Sequence, residues 1–200
     1  MASVNTCLAE AGLEYRGTVR IRHPLDVLVH DIGTEGIQAA MTKPLRGLKI
    51  ASYYGCQIVR PDKGFDDTED PRSMESLFES VGAENVYYPC KLRCCGGMLM
   101  TTFEDVALKL TEELLEAAVE SNAECIATTC PLCQMNLEAY QRRINAKFGR
   151  NYTMPILFFT QILGVALGLS AKELGIDTNF YPCGRLEAVA SAHVGEDAFA

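Results

Sequence analysis

The sequence predicts an α/β chain: a Rossmann-like layered fold with a mainly parallel four-stranded sheet flanked by helices. Three observations predict it. From Leu45 onward, short apolar runs of strand type alternate with helical patterns four times. Strands that alternate with helices pair in parallel, because a parallel connection needs a crossover. Finally, 200 residues suit one compact domain with at most an appended segment.

The elements follow in order. Residues 1–46 read as an N-terminal connector or arm with few anchors of its own. Within it, a helix ends near Gly12, TVRIR (18–22) alternates like a short strand, and Leu25, Leu28 and Val29 fall at helical spacing before Gly33. LKIASYY (48–54) is the first strand and runs into Gly55-Cys56; a polar loop rich in turn formers follows at 61–71. Ser73 to Val81 is a helix closed by Gly82, a residue that tolerates the left-handed terminating conformation. ENVYY (84–88) is the second strand. Phe103, Val106, Ala107, Leu110, Leu114 and Ala118 line one face of a long helix that Thr102 can cap. ECIATT (124–129) is the third strand, and Pro131 suits the first turn of the next helix, whose stripe is Leu137, Tyr140, Ile144 and Phe148. PILFF (155–159) is the fourth strand, followed by a short apolar helix and by Ala171 to Leu174. A flexible tail is expected over 186–200.

Composition excludes several classes. Hydrophobic residues at 48% and charged residues at 22% describe an ordinary globular chain rather than a disordered one. Eighteen basic against 26 acidic residues leave a net charge of -8, which argues against a surface built to neutralise phosphates, hence no nucleic acid. The N-terminus shows no basic region followed by an apolar run, so no signal peptide is expected. The apolar stretch Pro155 to Leu169 is interrupted by Thr160 and Gln161 and is shorter than the roughly 20 residues of a membrane span. The expected protein is soluble and cytoplasmic, with no direct membrane insertion.

Nine cysteines are the informative excess. An odd count without an export signal is poor material for structural disulfides, so metal binding or redox chemistry is the better reading. Cys56 follows the first strand, Cys94 and Cys95 the second, and Cys130 and Cys133 the third, giving C-x37-CCG-x34-C-x-x-C. Ligands in such sheets bind beyond the carboxyl ends of the strands, so these cysteines converge on one edge. The C-x-x-C step at a helix start places two thiolates one turn apart near a positive dipole end. Adjacent cysteines strain a single tetrahedral ion and favour a multinuclear centre, with Gly96 and Gly97 letting the backbone approach an inorganic core. Five thiolates are one more than an ordinary four-iron cubane needs.

The remaining candidates are weaker. Cys90 precedes Cys94 by four residues but reads as a non-ligand; Cys125 opens a buried strand and reads as packing; Cys7 and Cys183 read as free thiols. Lys91 and Arg93 either offset a negative centre, meet an anionic substrate, or sit in a solvated loop. The acidic run Asp66 to Asp70 reads as a solvated loop, with contact to a partner as the alternative. The GxxxG at Gly164 and Gly168 reads as close helix packing, and His23, His30 and His193 as structural or exposed.

The five-cysteine pattern resembles the cysteine-rich CCG domain. Its flanks, YYGCQIVRP, FDDTEDPRSMESLFESVGAE, YPCKLRCCGG and TTCPLCQMNLEAYQ, are similar to the second CCG half of the heterodisulfide reductase B subunit. The resemblance covers about residues 48–182 and assigns residues 47–185 to a cluster-binding domain, with the arm matching the connector between the two halves. It implies a noncubane [4Fe-4S] cluster held by Cys56, Cys94, Cys95, Cys130 and Cys133, with Cys94 and Cys95 at the catalytic centre and zinc as the alternative metal. It also implies a thiol or disulfide substrate of the coenzyme M–coenzyme B type, reduced or formed at the cluster. The implied partners are a ferredoxin-like C subunit and a flavin-bearing A subunit, or an upstream membrane cytochrome in other members. The family's B subunit holds two CCG halves, whereas this sequence contains one complete motif. Full turnover by this chain alone is therefore not expected. Two further readings stand beside this one: an electron-transfer CCG subunit of a lactate, glycerol-3-phosphate or succinate oxidoreductase, and a zinc-binding structural module.

Overall fold

The structure is a computed structural model that describes residues 1–60 and 64–192. Four strands form one all-parallel sheet: β1 (Lys49–Tyr53), β2 (Glu84–Asn85), β3 (Cys125–Thr128) and β4 (Ile156–Phe158), in the order β2-β1-β3-β4. The predicted α/β fold with a parallel four-stranded sheet is therefore present. The crossovers carry α4 (Ser73–Ser80), α5 (Glu104–Glu120), and the pair α6 (Pro131–Ala139) and α7 (Gln141–Phe148); α8 (Phe159–Ala166) leaves the last strand. Helix numbering begins with α1 (Ala2–Ala9), α2 (Pro24–Val27) and α3 (Gly33–Ala40), and ends with α9 (Gly184–Ser191).

The period of two along β1 divides the interior. Ile50 and Tyr54 enter a core with Leu77, Phe78, Phe159 and Ile162, while Ala51 and Tyr53 enter a second core with Leu114, Leu115, Leu137 and Ile144. A sheet buried on both faces needs continuous apolar strands, which CIAT of β3 and ILF of β4 supply.

The order of the strands places the site. β1 connects outward to β2 on one side, whereas β3 lies against its other side. The loops leaving β1 and β3 therefore diverge and open a crevice between their carboxyl ends, the usual ligand position in such sheets.

Several expectations change. TVRIR forms no strand: Val19 and Ile21 are exposed, and Ile21 retains 91% of its accessible surface. With no neighbouring strand, its backbone gains nothing from extension. ENVYY pairs only over Glu84 and Asn85, the edge of the sheet. Thr102 does not cap α5; Phe103 occupies that position without a side-chain bond. The buried face of α5 is also turned from the one expected: Ala107, Leu108, Thr111, Leu114, Leu115 and Ala118 face inward, while Phe103 and Val106 are exposed. The helix after Pro131 breaks at Tyr140, because the buried Gln141 amide bonds the Met154 backbone in both directions and turns the chain onto β4.

The arm is more anchored than its sequence suggests. Leu25 and Ile37 are buried in the first core, and the amides of Thr42 and Lys43 both donate to the Ala166 carbonyl, at 2.9 and 3.0 Å. At the other end, the tail expected from residue 186 is helical as far as Ser191, with Leu186 and Ala190 buried; residues 193–200 lie outside the described residues. Gly164 lies against Leu174 and Gly168 against Thr42, so the GxxxG spacing serves packing.

Candidate functional site

One cavity of about 830 Å³ opens at the carboxyl edge of the sheet, and Cys56, Cys94, Cys95, Cys130 and Cys133 all line it. Each arrives by a separate local device. After β1, Gly55 turns in the left-handed region (φ 69°), and the amides of Tyr54 and Gly55 donate to the Lys91 carbonyl at 3.0 and 3.1 Å. That pins the Cys56 turn to the loop bearing Cys94 and Cys95. After β3, the Cys130 amide donates to Thr128 Oγ1 at 3.3 Å, and Pro131 starts α6 with Cys133 inside its first turn.

The backbone is packed tightly around the sulfurs. A Cβ on Gly55 would lie 3.3 Å from Cys133 Sγ, and one on Gly97 would lie 3.4 Å from Cys95 Sγ and 3.1 Å from Leu132. The Gly96 amide donates to Cys94 Sγ at 3.4 Å. Cys95 and Cys133 are buried, with sulfurs 3.5 Å apart. The Cys133 thiol, together with the Gly97 amide, draws Cys95 down to about 6; the neighbouring Cys95 and burial push Cys133 up. Burial and then the Cys94 charge push Cys56 up. The site thus favours the thiolate form at Cys95 over Cys133 and aims the Gly96 amide at Cys94 Sγ. Among the described residues, no three His, Cys, Asp or Glu side chains converge closely enough to hold a single metal ion. The donor set fits a polynuclear sulfur-bridged core: five thiols, glycine backbone that a side chain would obstruct, and amides aimed at sulfur.

The other candidates lie elsewhere. Lys91 bonds the Pro71 carbonyl at 2.8 Å and pairs with Asp70, and Arg93 pairs with Glu113 at 2.7 Å, so neither faces the cavity. Cys90 is buried beside the Arg93 guanidinium and does not line the cavity. Cys7 is exposed on α1. Cys183 is not solitary: it is buried at the start of α9 in the same core cluster as Cys125 at the start of β3. The acidic loop turns on itself, with Asp66 and Asp67 accepting backbone amides.

Sequence reasoning missed the arm as a wall of the site. Arg20, Arg22, His23 and Asp26 all line the cavity. His23 Nδ1 accepts the Leu25 amide at 3.1 Å, and its ring stacks on Phe65 with centroids 6.3 Å apart. Arg22 grips Asp26 at 2.6 and 2.9 Å, and His30 adds a contact at 2.9 Å. His-Pro before an apolar pattern was a legible helix start, but no local signal ties it to a cavity built 30 residues later. His193 lies outside the described residues.

This wall should be acid-sensitive. The Arg22 guanidinium, ahead of the opposing effect of burial, holds Asp26 down to about 2. A folded value below the unfolded one of about 3.9 means that attachment is complete above that pH and is lost as pH falls toward the folded value. Proteolytic protection of residues 18–31 should therefore fall between about pH 4 and 2, and Asp26→Asn should loosen the segment at neutral pH. Unchanged protection in both experiments contradicts the Arg22–Asp26 latch.

A family model described as the cysteine-rich domain CCG matches residues 50–138. These residues resemble a CCG domain. Around it, the chain is 38% identical over 182 residues to the B subunit of the ferredoxin:CoB-CoM heterodisulfide reductase of Methanosarcina mazei, covering 89% of this chain and 60% of that one. It is 36% identical over 178 residues to the membrane anchor subunit of the 8-methylmenaquinol:fumarate reductase of Wolinella succinogenes, covering 88% of this chain and 62% of that one. The chain thus spans about 60% of the length of the curated relatives it matches. A crystal structure of a hypothetical protein from Helicobacter pylori superposes with a TM-score of 0.68 at 16% identity, over 90% of this chain and 32% of that one, a likeness of fold alone. The resemblance read from the cysteines and their flanks is confirmed. No helix among the described residues is long and apolar enough to cross a membrane.

Proposed function

We propose that this CCG domain is the iron–sulfur subunit of a heterodisulfide reductase-like oxidoreductase complex. Cys56, Cys94, Cys95, Cys130 and Cys133 would hold a noncubane [4Fe-4S] cluster. When bound, that cluster supplies an iron able to bind sulfur and a store for single electrons. The observation that carries the reading is the open cavity of about 830 Å³ lined by all five thiols. An electron relay needs only a buried cluster near a partner's cofactor; a cavity of this size admits a small thiol or disulfide.

The chain's own residues define what enters. Ile58, Phe65, Met98 and Leu132 give the cavity apolar sides, while Arg20 and Arg22 stand at the arm wall. Cys95, drawn toward the thiolate, and the Gly96 amide on Cys94 Sγ prepare the negative sulfur side. The similarity to the Wolinella protein favours a second reading, electron transfer without sulfur chemistry. The physiological complex would bring a ferredoxin-like subunit and a flavin-bearing subunit as electron source.

Thiol binding separates the two readings. In anaerobically loaded protein, a small thiol should change the EPR signal of the cluster, because the cavity gives sulfur access to iron. A spectrum indifferent to saturating thiol overturns the disulfide reading in favour of the relay. The isolated 200-residue chain should turn over a coenzyme M–coenzyme B disulfide slowly or not at all with a low-potential dye, since it supplies cysteines for one cluster. Full activity from the monomer contradicts this half-site account.

A further inference from the structure

The geometry points to Thr111 and Asn136 as positioning residues that tune the sulfur of Cys94 through the Cys95–Gly96 peptide. The inference rests on the iron–sulfur reading above and names a part of its machinery outside the cavity. Thr111 on α5 and Asn136 on α6 are both completely buried, and neither lines the cavity. Asn136 Nδ2 donates to the Cys95 carbonyl at 2.7 Å and to Thr111 Oγ1 at 2.9 Å. Thr111 Oγ1 in turn lies 3.0 Å from both the Cys95 and the Ala107 carbonyls. The hydroxyl's oxygen accepts from Asn136, so its single proton is free for one of those two carbonyls.

The amide orientation of Asn136 follows from chemistry. Turned the other way, its oxygen would face the Cys95 carbonyl oxygen at 2.7 Å, two acceptors without a proton between them. In the orientation that bonds, Oδ1 is buried and finds no partner among the described residues. A leucine of similar size would avoid burying that acceptor, so Asn136 stands here for its N–H groups.

Those groups act on one end of a peptide whose other end meets the site. The carbonyl of Cys95 and the amide of Gly96 belong to one peptide unit, and the Gly96 N–H donates to Cys94 Sγ at 3.4 Å. Donors on a carbonyl polarise the peptide and strengthen its N–H as a donor. A stronger N–H···S bond withdraws charge from the sulfur, and hydrogen bonds to the sulfurs are one of the levers on an iron–sulfur potential. The two residues therefore favour the reduced state of the centre from behind the CCG turn.

The test uses Thr111→Val and Asn136→Leu, which remove the donors at nearly constant volume, with Thr111→Ser as the conservative control. In metal-free protein, the Gly96 amide proton should move upfield in both donor-less variants and stay in place in Thr111→Ser. In anaerobically loaded protein, the reduced-to-oxidised ratio at the wild-type midpoint should fall about tenfold, 59 mV for one electron, and Thr111→Ser should restore it. An unchanged Gly96 amide in folded variants overturns the peptide relay, and so does a shifted amide with an unchanged midpoint. Failure of the underlying reading shows separately, as wild-type protein that takes up no iron and sulfide.

Discussion

Serine at Cys94 or Cys95 should disrupt iron–sulfur incorporation, whereas serine at Cys7 should leave it intact. Cys94 and Cys95 line the cavity, the Gly96 amide donates to Cys94 Sγ, and Cys95 Sγ lies 3.5 Å from Cys133 Sγ. A serine hydroxyl keeps its proton where a thiol surrenders it, so the replacement removes an anionic ligand rather than resizing one. At Cys95 the buried hydroxyl also inherits a site shaped for sulfur, at a cost of about 1–3 kcal/mol if it finds no partner. Iron per chain after anaerobic reconstitution should fall at least about tenfold in both site variants. Cys7 is exposed on α1 and touches none of this, so it is the proper control. Cys183 is a poor one, because its buried contact with Cys125 makes any replacement a core change. Equal iron loss in the Cys7 variant would overturn the ligand assignment.

Valine at Gly96 should disrupt the site and cost much of the stability. Gly96 sits at φ 70°, where a side chain is strained by about 1–2 kcal/mol. Its Cβ would also stand 3.0 Å from the Ala107 Cα and 3.0 Å from a Leu110 methyl carbon. The first of these is backbone of a helix whose inner face is core, so α5 itself must yield. Overpacking of this kind adds about 1–3 kcal/mol. Gly12→Ala supplies the contrast: its φ is 68°, but nothing lies within 4 Å of the new carbon. Thermal unfolding should show a large loss for Gly96→Val and a small one for Gly12→Ala. Similar small losses in both would mean that the CCG turn is not pressed against α5.

The sheet was legible because its signals are local. Short β-branched and apolar runs sit between helix patterns, and Gly55, Gly82 and Pro131 mark where strands and helices end or begin. The five cysteines were legible for a related reason: a parallel sheet carries whatever follows its strands to one edge. The arm was not legible. Leu25 falls at helical spacing, but nothing local says that it and Ile37 join the core built by α4 and α8. The Thr111–Asn136 pair was equally hidden, since a threonine inside a helix and an asparagine one turn after a cysteine read as polar filler. TVRIR shows the converse, a clean alternation with no neighbour to pair with. Pattern proposes a strand; only a partner makes one.

The central claim is that the five thiols hold a four-iron, four-sulfide core. It is tested most directly by metal and acid-labile sulfide analysis, with EPR, of wild-type protein purified without exposure to oxygen. The account predicts about four irons and four sulfides per chain, with an iron–sulfur EPR signal that appears or disappears on one-electron reduction. Stoichiometric zinc with no sulfide would contradict it.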